Sequence, residues 1–294
     1  MKRMKDKLIF FIRKVAISFA RLLAEYNIIE PCIVCHIDGG ICSQMLHYLY
    51  TISFIENNIP VYFDMTFYEN RGTDGTGLHI RNFGLQQMYP NLTFKKSSKC
   101  RTFFFSKFLR LKSNNRVIPY TIKPPIYLCE YYEYPTSKFL LDFSKYFGIN
   151  NTTYKSVLSH DKIICGVHIR RGDLADGDNI YYGGVTNNYF MDAINYVKSN
   201  YQDIVFRFYS DDISYVKSNI AQYAQPNRFE FVSDLGLNDW EELCELAYSN
   251  IIIASQGSFG KYATCMNHNK ILLILNKNQF ANQWIETGLN IVLI

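Results

Sequence analysis

The sequence lacks any apolar run long enough to cross a bilayer. Leu8-Ile9-Phe10-Phe11-Ile12 is cut by Arg13-Lys14 before Val15-Ala16-Ile17-Ser18-Phe19-Ala20, short of the roughly 18 to 20 residues a spanning helix needs. The same interruption, with no small-residue cleavage site, argues against a secretory signal. Charge is scarce too. Only 19 % of residues are charged and the net value is +5, too weak and diffuse to mark a nucleic-acid binder. The eight cysteines lack zinc spacing, because Cys32-x-x-Cys35 is followed by no second Cys or His pair. Several lie inside apolar patterns, so buried reduced thiols are expected.

What the sequence has is apolar and aromatic. An apolar content of 48 %, with 23 Tyr and 22 Phe, indicates a folded globular protein with material for aromatic-lined pockets. A chain of 294 residues accommodates two domains. Residues 1–29 read as a basic amphipathic helix. Such a helix suits an anionic leaflet or packing on the protein body equally, so the expectation is a cytoplasmic protein with peripheral membrane contact through residues 1–20. Residues 30–155 and 156–294 are the two expected domains, joined through Gly148-Ile149-Asn150-Asn151-Thr152-Thr153.

The chain is organised around Ile163-Ile164-Cys165-Gly166-Val167-His168-Ile169-Arg170-Arg171-Gly172-Asp173. It predicts a short buried strand running into two arginines, a glycine and an aspartate. At the carboxyl end of a parallel strand, charges face the crevice where ligands of open α/β folds bind. Guanidinium matches phosphate oxygens with a planar fork of donors. Neighbouring arginines on an extended segment point to opposite faces. One is expected to meet a ligand and the other an internal carboxylate, Asp173 being the nearest candidate. A structural ion pair closing a strand end fits the same residues.

The amino half alternates strands and helices. Ile33 to Ile37 predicts a strand, Asp38-Gly39-Gly40-Ile41-Cys42-Ser43-Gln44 a turn, Met45 to Asn57 a helix, and Pro60 to Asp64 the next strand. The amino end of that helix favours negative ligand groups. Residues 67–84 read as a long loop. Phe103-Phe104-Phe105 with Lys107, Arg110 and Lys112 forms a basic aromatic patch without an assigned element, and Thr136 to Phe147 predicts a helix. In the carboxyl half, Val205 to Tyr209 predicts a strand ending in Ser210-Asp211-Asp212. Ile251 to Ala254 predicts another, ending in Ser255-Gln256-Gly257-Ser258-Phe259-Gly260. The carboxylates suit ribose or sugar hydroxyls, or a helix cap. The small hydroxyl-bearing segment suits phosphate. Polar clusters at Arg170, Asp211 and Ser255 would share one rim of a parallel sheet, which favours a nucleotide site.

Four segments resemble bacterial α-1,2-fucosyltransferases, glycosyltransferase family eleven. Gly39-Gly40-Ile41-Cys42-Ser43-Gln44-Met45 resembles their Gly-Gly-Leu-Gly-Asn-Gln-Met opening. His168-Ile169-Arg170-Arg171-Gly172-Asp173 is similar to their His-x-Arg-Arg-x-Asp motif. Tyr209-Ser210-Asp211-Asp212 is similar to Phe-Ser-Asp-Asp, and Ile253 to Gly260 to Ala-Asn-Ser-Ser-Phe-Ser-Trp-Trp-Gly. Cys42 and Ser43 depart from glycine and asparagine, and Gly260-Lys261-Tyr262 from Ser-Trp-Trp.

The resemblance implies a GT-B fold of two Rossmann-like α/β domains, the sugar nucleotide being held by the carboxyl-terminal one. It also implies inverting transfer from GDP-fucose to a galactoside hydroxyl of an oligosaccharide or lipid-linked glycan, with no metal. Arg170 would then stabilise the charge growing on GDP. Asp173 would hold the arginine pair, and His168 would bond guanine, ribose or phosphate. Ser255 and Ser258 would bind phosphate, and Asp211 or Asp212 the ribose or base. Arg171, Phe259, Gly39, Gly40 and Gln44 complete the implied substrate-binding set. His36 and Asp38 are candidates to take the acceptor proton. A different nucleotide-sugar donor, and a non-enzymatic glycan-binding module at a membrane surface, are the alternative readings.

Overall fold

The computed structural model describes residues 2–73, 77, 80–111, 121–159, 161–171, 186–255, 257–277 and 284–294, with side chains from residue 9 onward. The chain forms two compact units, Met1–Gln86 with Asn91–Pro135, and Gln87–Pro90 with Thr136–Ile294. Each is α/β with a parallel sheet.

In the first unit, β1 (Ile33–His36) lies between β2 (Val61–Asp64) and β3 (Ile126–Leu128). Val34 is in register with Tyr62 and with Tyr127, and these three side chains form one row across the sheet. α1 (Lys2–Glu25) contributes Ala20 and Ile17 to the apolar cluster on that row. The sequence-expected helix from Met45 is two helices, α2 (Ile41–Leu49) and α3 (Ile52–Glu56). Extended Gly40 lets α2 begin at once, and the Thr51 hydroxyl donates to the Tyr48 carbonyl at 2.7 Å where the helix breaks. α4 (Thr66–Glu69) and α5 (Leu85–Met88) are single turns, and the aromatic patch forms α6 (Lys99–Phe108), capped by the Ser98 hydroxyl.

The second unit holds β4 (Ile163–Ile169), β5 (Ile204–Ser210), β6 (Arg228–Phe231), β7 (Ile251–Ala254), β8 (Leu272–Leu275) and β9 (Ile291–Leu293). Its helices are α7 (Thr136–Phe147), α8 (Asn187–Asn200), α9 (Ile213–Asn219), α10 (Asp239–Ala247) and α11 (Phe259–Met266). The strand order β6-β5-β4-β7-β8-β9 is the doubly wound order of nucleotide-binding sheets. Its switch point lies between β4 and β7. Period-two alternation divides β4 between two helical layers. Cys165, Val167 and Ile169 share a core with Tyr189, Phe190, Ala193, Ile194 and Val197 of α8. Gly166 and His168 face the other side. A Cβ on Gly166 would lie 2.4 Å from the Leu246 Cδ1 of α10, so only glycine lets that helix approach.

The division at Pro135/Thr136 differs from the sequence-expected boundary near 155. α7 groups with the second unit because Phe139 and Phe143 pack on Tyr262 of α11, with ring centroids 5.8 and 4.9 Å away. The expected linker is also part of that unit and contains a 3-10 turn at Ile149–Asn151. All eight cysteines are free and six are buried.

Three buried side-chain polar atoms have no hydrogen-bond partner among the described residues, Arg110 Nε, Ser249 Oγ and the Tyr209 hydroxyl in β5. Desolvating a hydroxyl without a hydrogen bond costs stability, so Tyr209→Phe should stabilise the protein by about 1 kcal/mol in urea melts.

Candidate active site

At the switch point the backbone is fixed before any ligand is considered. The Ser255 amide donates to the His168 carbonyl at 3.0 Å, and the Arg170 amide donates to Ser255 Oγ at 2.9 Å. The same hydroxyl lies 3.2 Å from His168 Nδ1. Two strand ends are thereby tied together through one serine. The His168 ring stacks on Phe259 at 5.0 Å. Burial, aided by the charges of Arg170 and Lys261, pushes the imidazole down to about 3, so it is neutral at physiological pH.

Both arginines meet carboxylates from the end of β5. Arg170 Nη1 lies 2.9 Å from Asp211 Oδ2, and the Arg171 amide donates to Asp211 Oδ1 at 2.8 Å. Arg171 Nε donates to Asp212 Oδ2 at 3.2 Å while its guanidinium lies over the Tyr215 ring at 3.4 Å. Asp212 also caps α9, accepting from the Tyr215 amide at 3.1 Å. The sequence left ribose binding and helix capping open for these aspartates. The structure uses Asp211 to orient Arg170, and Asp212 both as a cap and as the partner of Arg171. Asp173 lies outside the described residues.

Ser258 precedes α11, yet its side chain makes no cap hydrogen bond. Three residues on, Lys261 is 8 % exposed and makes no hydrogen bond or ion pair among the described residues; its Nζ lies over the Trp284 ring at 5.5 Å. Burial pushes its ammonium down to about 8. Lys261 was not a sequence-expected site residue. The signal was its position as a cation where the family pattern has tryptophan. His168, Arg170 and Lys261, with the amino end of α11, can together receive an anionic group.

The first unit gathers a second cluster at the carboxyl ends of β1 and β2. His36 Nδ1 lies 3.1 Å from Asp64 Oδ2, and His36 Nε2 lies 3.5 Å from Asp38 Oδ2. His47 Nδ1 accepts from the Asp38 amide at 3.4 Å, and burial pushes His47 down to about 4. Asp64 also accepts from the Tyr127 hydroxyl and, at 3.0 Å, from the Thr66 amide. Burial alone would raise Asp64; the hydrogen bonds from His36, Tyr127 and Thr66 outweigh it and hold the carboxyl at about 2. An ionised buried carboxylate on Nδ1 fixes the imidazole tautomer and leaves Nε2 as the basic nitrogen. His36 and Asp38 were sequence-expected. Asp64 and Tyr127 were not, because they come from neighbouring strands and only the sheet register brings them to His36.

Gln44 plays a different part from the one its motif suggested. It is fully buried, its amide donates to the carbonyls of Gly39 and Asn82, and its Oε1 accepts from the amides of Gly84 and Leu85. Gln44 therefore clamps the turn at Gly39 and Gly40 to residues 82–85. Gly39 itself has φ +73°.

Depressed carboxyls stabilise the fold above their unfolded value and lose that contribution as pH falls through the folded one. Asp64→Asn should therefore cost about 2 kcal/mol at neutral pH. The gap from the parent protein should close as pH falls from 3.8 through about 2, which urea melts across that range would measure.

Comparison with known proteins gives one family match. The model of Glycosyl transferase family 11 matches residues 115–291, which include β3 through β8 and the switch-point cluster. Of the cluster around His36, Tyr127 lies within that segment, and His36, Asp38, His47 and Asp64 lie outside it. No curated protein matches the chain.

Proposed function

The chain belongs to glycosyl transferase family 11 and is a glycosyltransferase of the fucosyltransferase type; from that premise we propose that it moves fucose from GDP-fucose to a galactoside hydroxyl. The linkage is α-1,2, formed with inversion, and the product serves surface polysaccharide or O-antigen synthesis. The reading includes GT-B architecture, with donor held by the second unit and acceptor by the first. The observation that carries it is the cationic cluster at the β4–β7 switch point. There Ser255 pins the Arg170 backbone, Asp211 holds its guanidinium, and Lys261 adds a buried ammonium.

In this reaction the acceptor oxygen attacks the anomeric carbon as the bond from that carbon to the β-phosphate oxygen breaks. The bonding pair leaves on GDP, whose growing charge Arg170 and Lys261 neutralise. The acceptor proton passes to His36 Nε2, the ring nitrogen left free by the Asp64 contact at Nδ1, with Asp38 Oδ2 3.5 Å from it. His168 remains neutral and positions the donor, with Phe259 stacked behind it. Ser258 offers its hydroxyl, and α11 its amide ends, to phosphate. Asp173, by its place in the motif, holds the arginine pair or its loop in place. Replacing His36 with alanine should lower kcat by about 10² to 10³-fold, with the donor KM changed much less, measured by GDP release.

The test is a donor panel of GDP-fucose, GDP-mannose and UDP-sugars against a mixture of galactosides, with product linkage read by NMR. An α-1,2-fucosylated product from GDP-fucose is expected, and activity should persist in EDTA. Turnover with a UDP-sugar instead would overturn the donor assignment. A strict need for a divalent ion would point to a different class of glycosyltransferase.

A further inference from the structure

Helices α1 and α6 cover the same face of the first unit's sheet. Ile17 and Ala20 of α1 share one apolar cluster with Phe105 of α6, with Leu109 and with the Val34-Tyr62-Tyr127 row. Arg13 Nε donates to the Lys107 carbonyl at 3.3 Å, joining the two helices. With their inner stripes on the sheet, their outer faces meet solvent. A helix so placed normally turns polar residues outward. These two turn aromatic and aliphatic ones. Phe11 is 64 % exposed and Phe19 59 %, with Val15 and Leu22 exposed on the same stripe, and on α6 Phe103 is 63 % exposed beside exposed Phe104 and Phe108.

Charge is concentrated in the sequence of the same two helices. α1 and α6 carry ten Lys and Arg against two Asp and Glu, whereas the remaining residues carry 21 against 24. The net positive charge of the protein therefore resides in these two helices. Lys14, Lys99 and Lys107 are exposed among the aromatic residues. No described helix is long and apolar enough to cross a membrane, so at a bilayer these helices would lie along the surface.

We propose that the outer face of α1 and α6 docks the protein on the anionic leaflet of a lipid bilayer. The exposed phenylalanines enter the acyl boundary and the lysines meet headgroup phosphates. A protein partner or a second copy would be served by the apolar stripe alone; the excess of cations selects an anionic surface.

The test is co-sedimentation of the full chain with phosphatidylcholine vesicles, with and without phosphatidylglycerol. Sedimentation should require the anionic lipid and weaken with salt. The combined Phe11→Ser, Phe19→Ser and Phe104→Ser substitutions should lower partitioning by about tenfold or more. Lys14→Glu with Lys107→Glu should also lower it by about tenfold, and this purely surface pair keeps the test valid should the phenylalanine variant misfold. Lack of binding to anionic vesicles would overturn the proposal, as would equal binding by the folded variants. So would a parent dimer that becomes monomeric on losing the phenylalanines and never binds vesicles. Sugar transfer is not the readout, so an error in the donor assignment leaves this test intact.

Discussion

Arg170→Ala should lower kcat by about 10³-fold with GDP-fucose while the melting transition stays close to that of the parent protein. The size follows from what the side chain does. Its guanidinium is held against Asp211 at the carboxyl end of β4, 26 % exposed, where in the proposed reaction a departing diphosphate would develop charge. A fixed donor in a partly dehydrated site stabilises such charge far better than water does, because it need not reorient during the reaction. The fold should survive, since Ser255 Oγ accepts from the Arg170 backbone amide, which the substitution keeps. Asp211 keeps the Arg171 amide as a donor after the change. Arg170→Lys restores the charge without the planar fork and should recover only part of the rate. Single-turnover measurement separates this effect from product release. Near-parental turnover in Arg170→Ala would remove the proposed role.

The second large effect combines stability and binding with opposite signs. Lys261→Met should stabilise the free protein by about 1 to 3 kcal/mol and raise the donor KM by about tenfold or more. The ammonium is buried without a hydrogen-bonding or ionic partner among the described residues, so the unliganded fold bears its desolvation cost and a bound diphosphate relieves it. Its depressed value fixes the pH dependence. Below about 8 Lys261 is charged and available to phosphate; above it that charge is lost, so kcat/KM should fall as pH rises through about 8. Lys261→Met should abolish that alkaline limb. The stability gain should be largest below about 8 and shrink towards pH 10.5, where the lysine is neutral in both states. His168 beside it is already neutral in this range, so it cannot mimic the effect. Donor titrations from pH 6 to 9 and urea melts would check both signs.

The carboxyl-terminal sheet was legible because its strands are buried on both faces. Runs such as Ile251-Ile252-Ile253-Ala254 are apolar throughout and sharply bounded, a pattern that crossover helices on both sides require. The meeting of Arg170, Asp211 and Ser255 at one rim followed from that topology. Terminal β9 was not marked, since Ile291-Val292-Leu293 is short and half-exposed at the sheet edge. α6 was obscured because its aromatics face solvent as well as core, which erases the amphipathic period. The unit boundary was misplaced because α7 reads as an ordinary amphipathic helix, and nothing within it says which sheet its Phe139 and Phe143 will cover.

Side-chain roles were less legible than positions. The sequence placed His36 and Asp38 near a rim but could not supply Asp64 or Tyr127, whose contact with them depends on strand register. Lys261 stood out only as a departure from the family pattern. Its burial beside Trp284 depends on residues more than twenty positions away. Gln44 looked like a ligand-binding residue, and the backbone groups of residues 82–85 that engage it lie far along the chain.

The central claim is that Arg170 grips the donor diphosphate, and calorimetric titration of GDP and guanosine tests it most directly. The parent protein should bind GDP about 10²-fold more tightly than guanosine, and Arg170→Ala should reduce that preference to about tenfold or less, the remainder coming from Lys261 and the amino end of α11. A folded Arg170→Ala variant that keeps the full preference for GDP would contradict it.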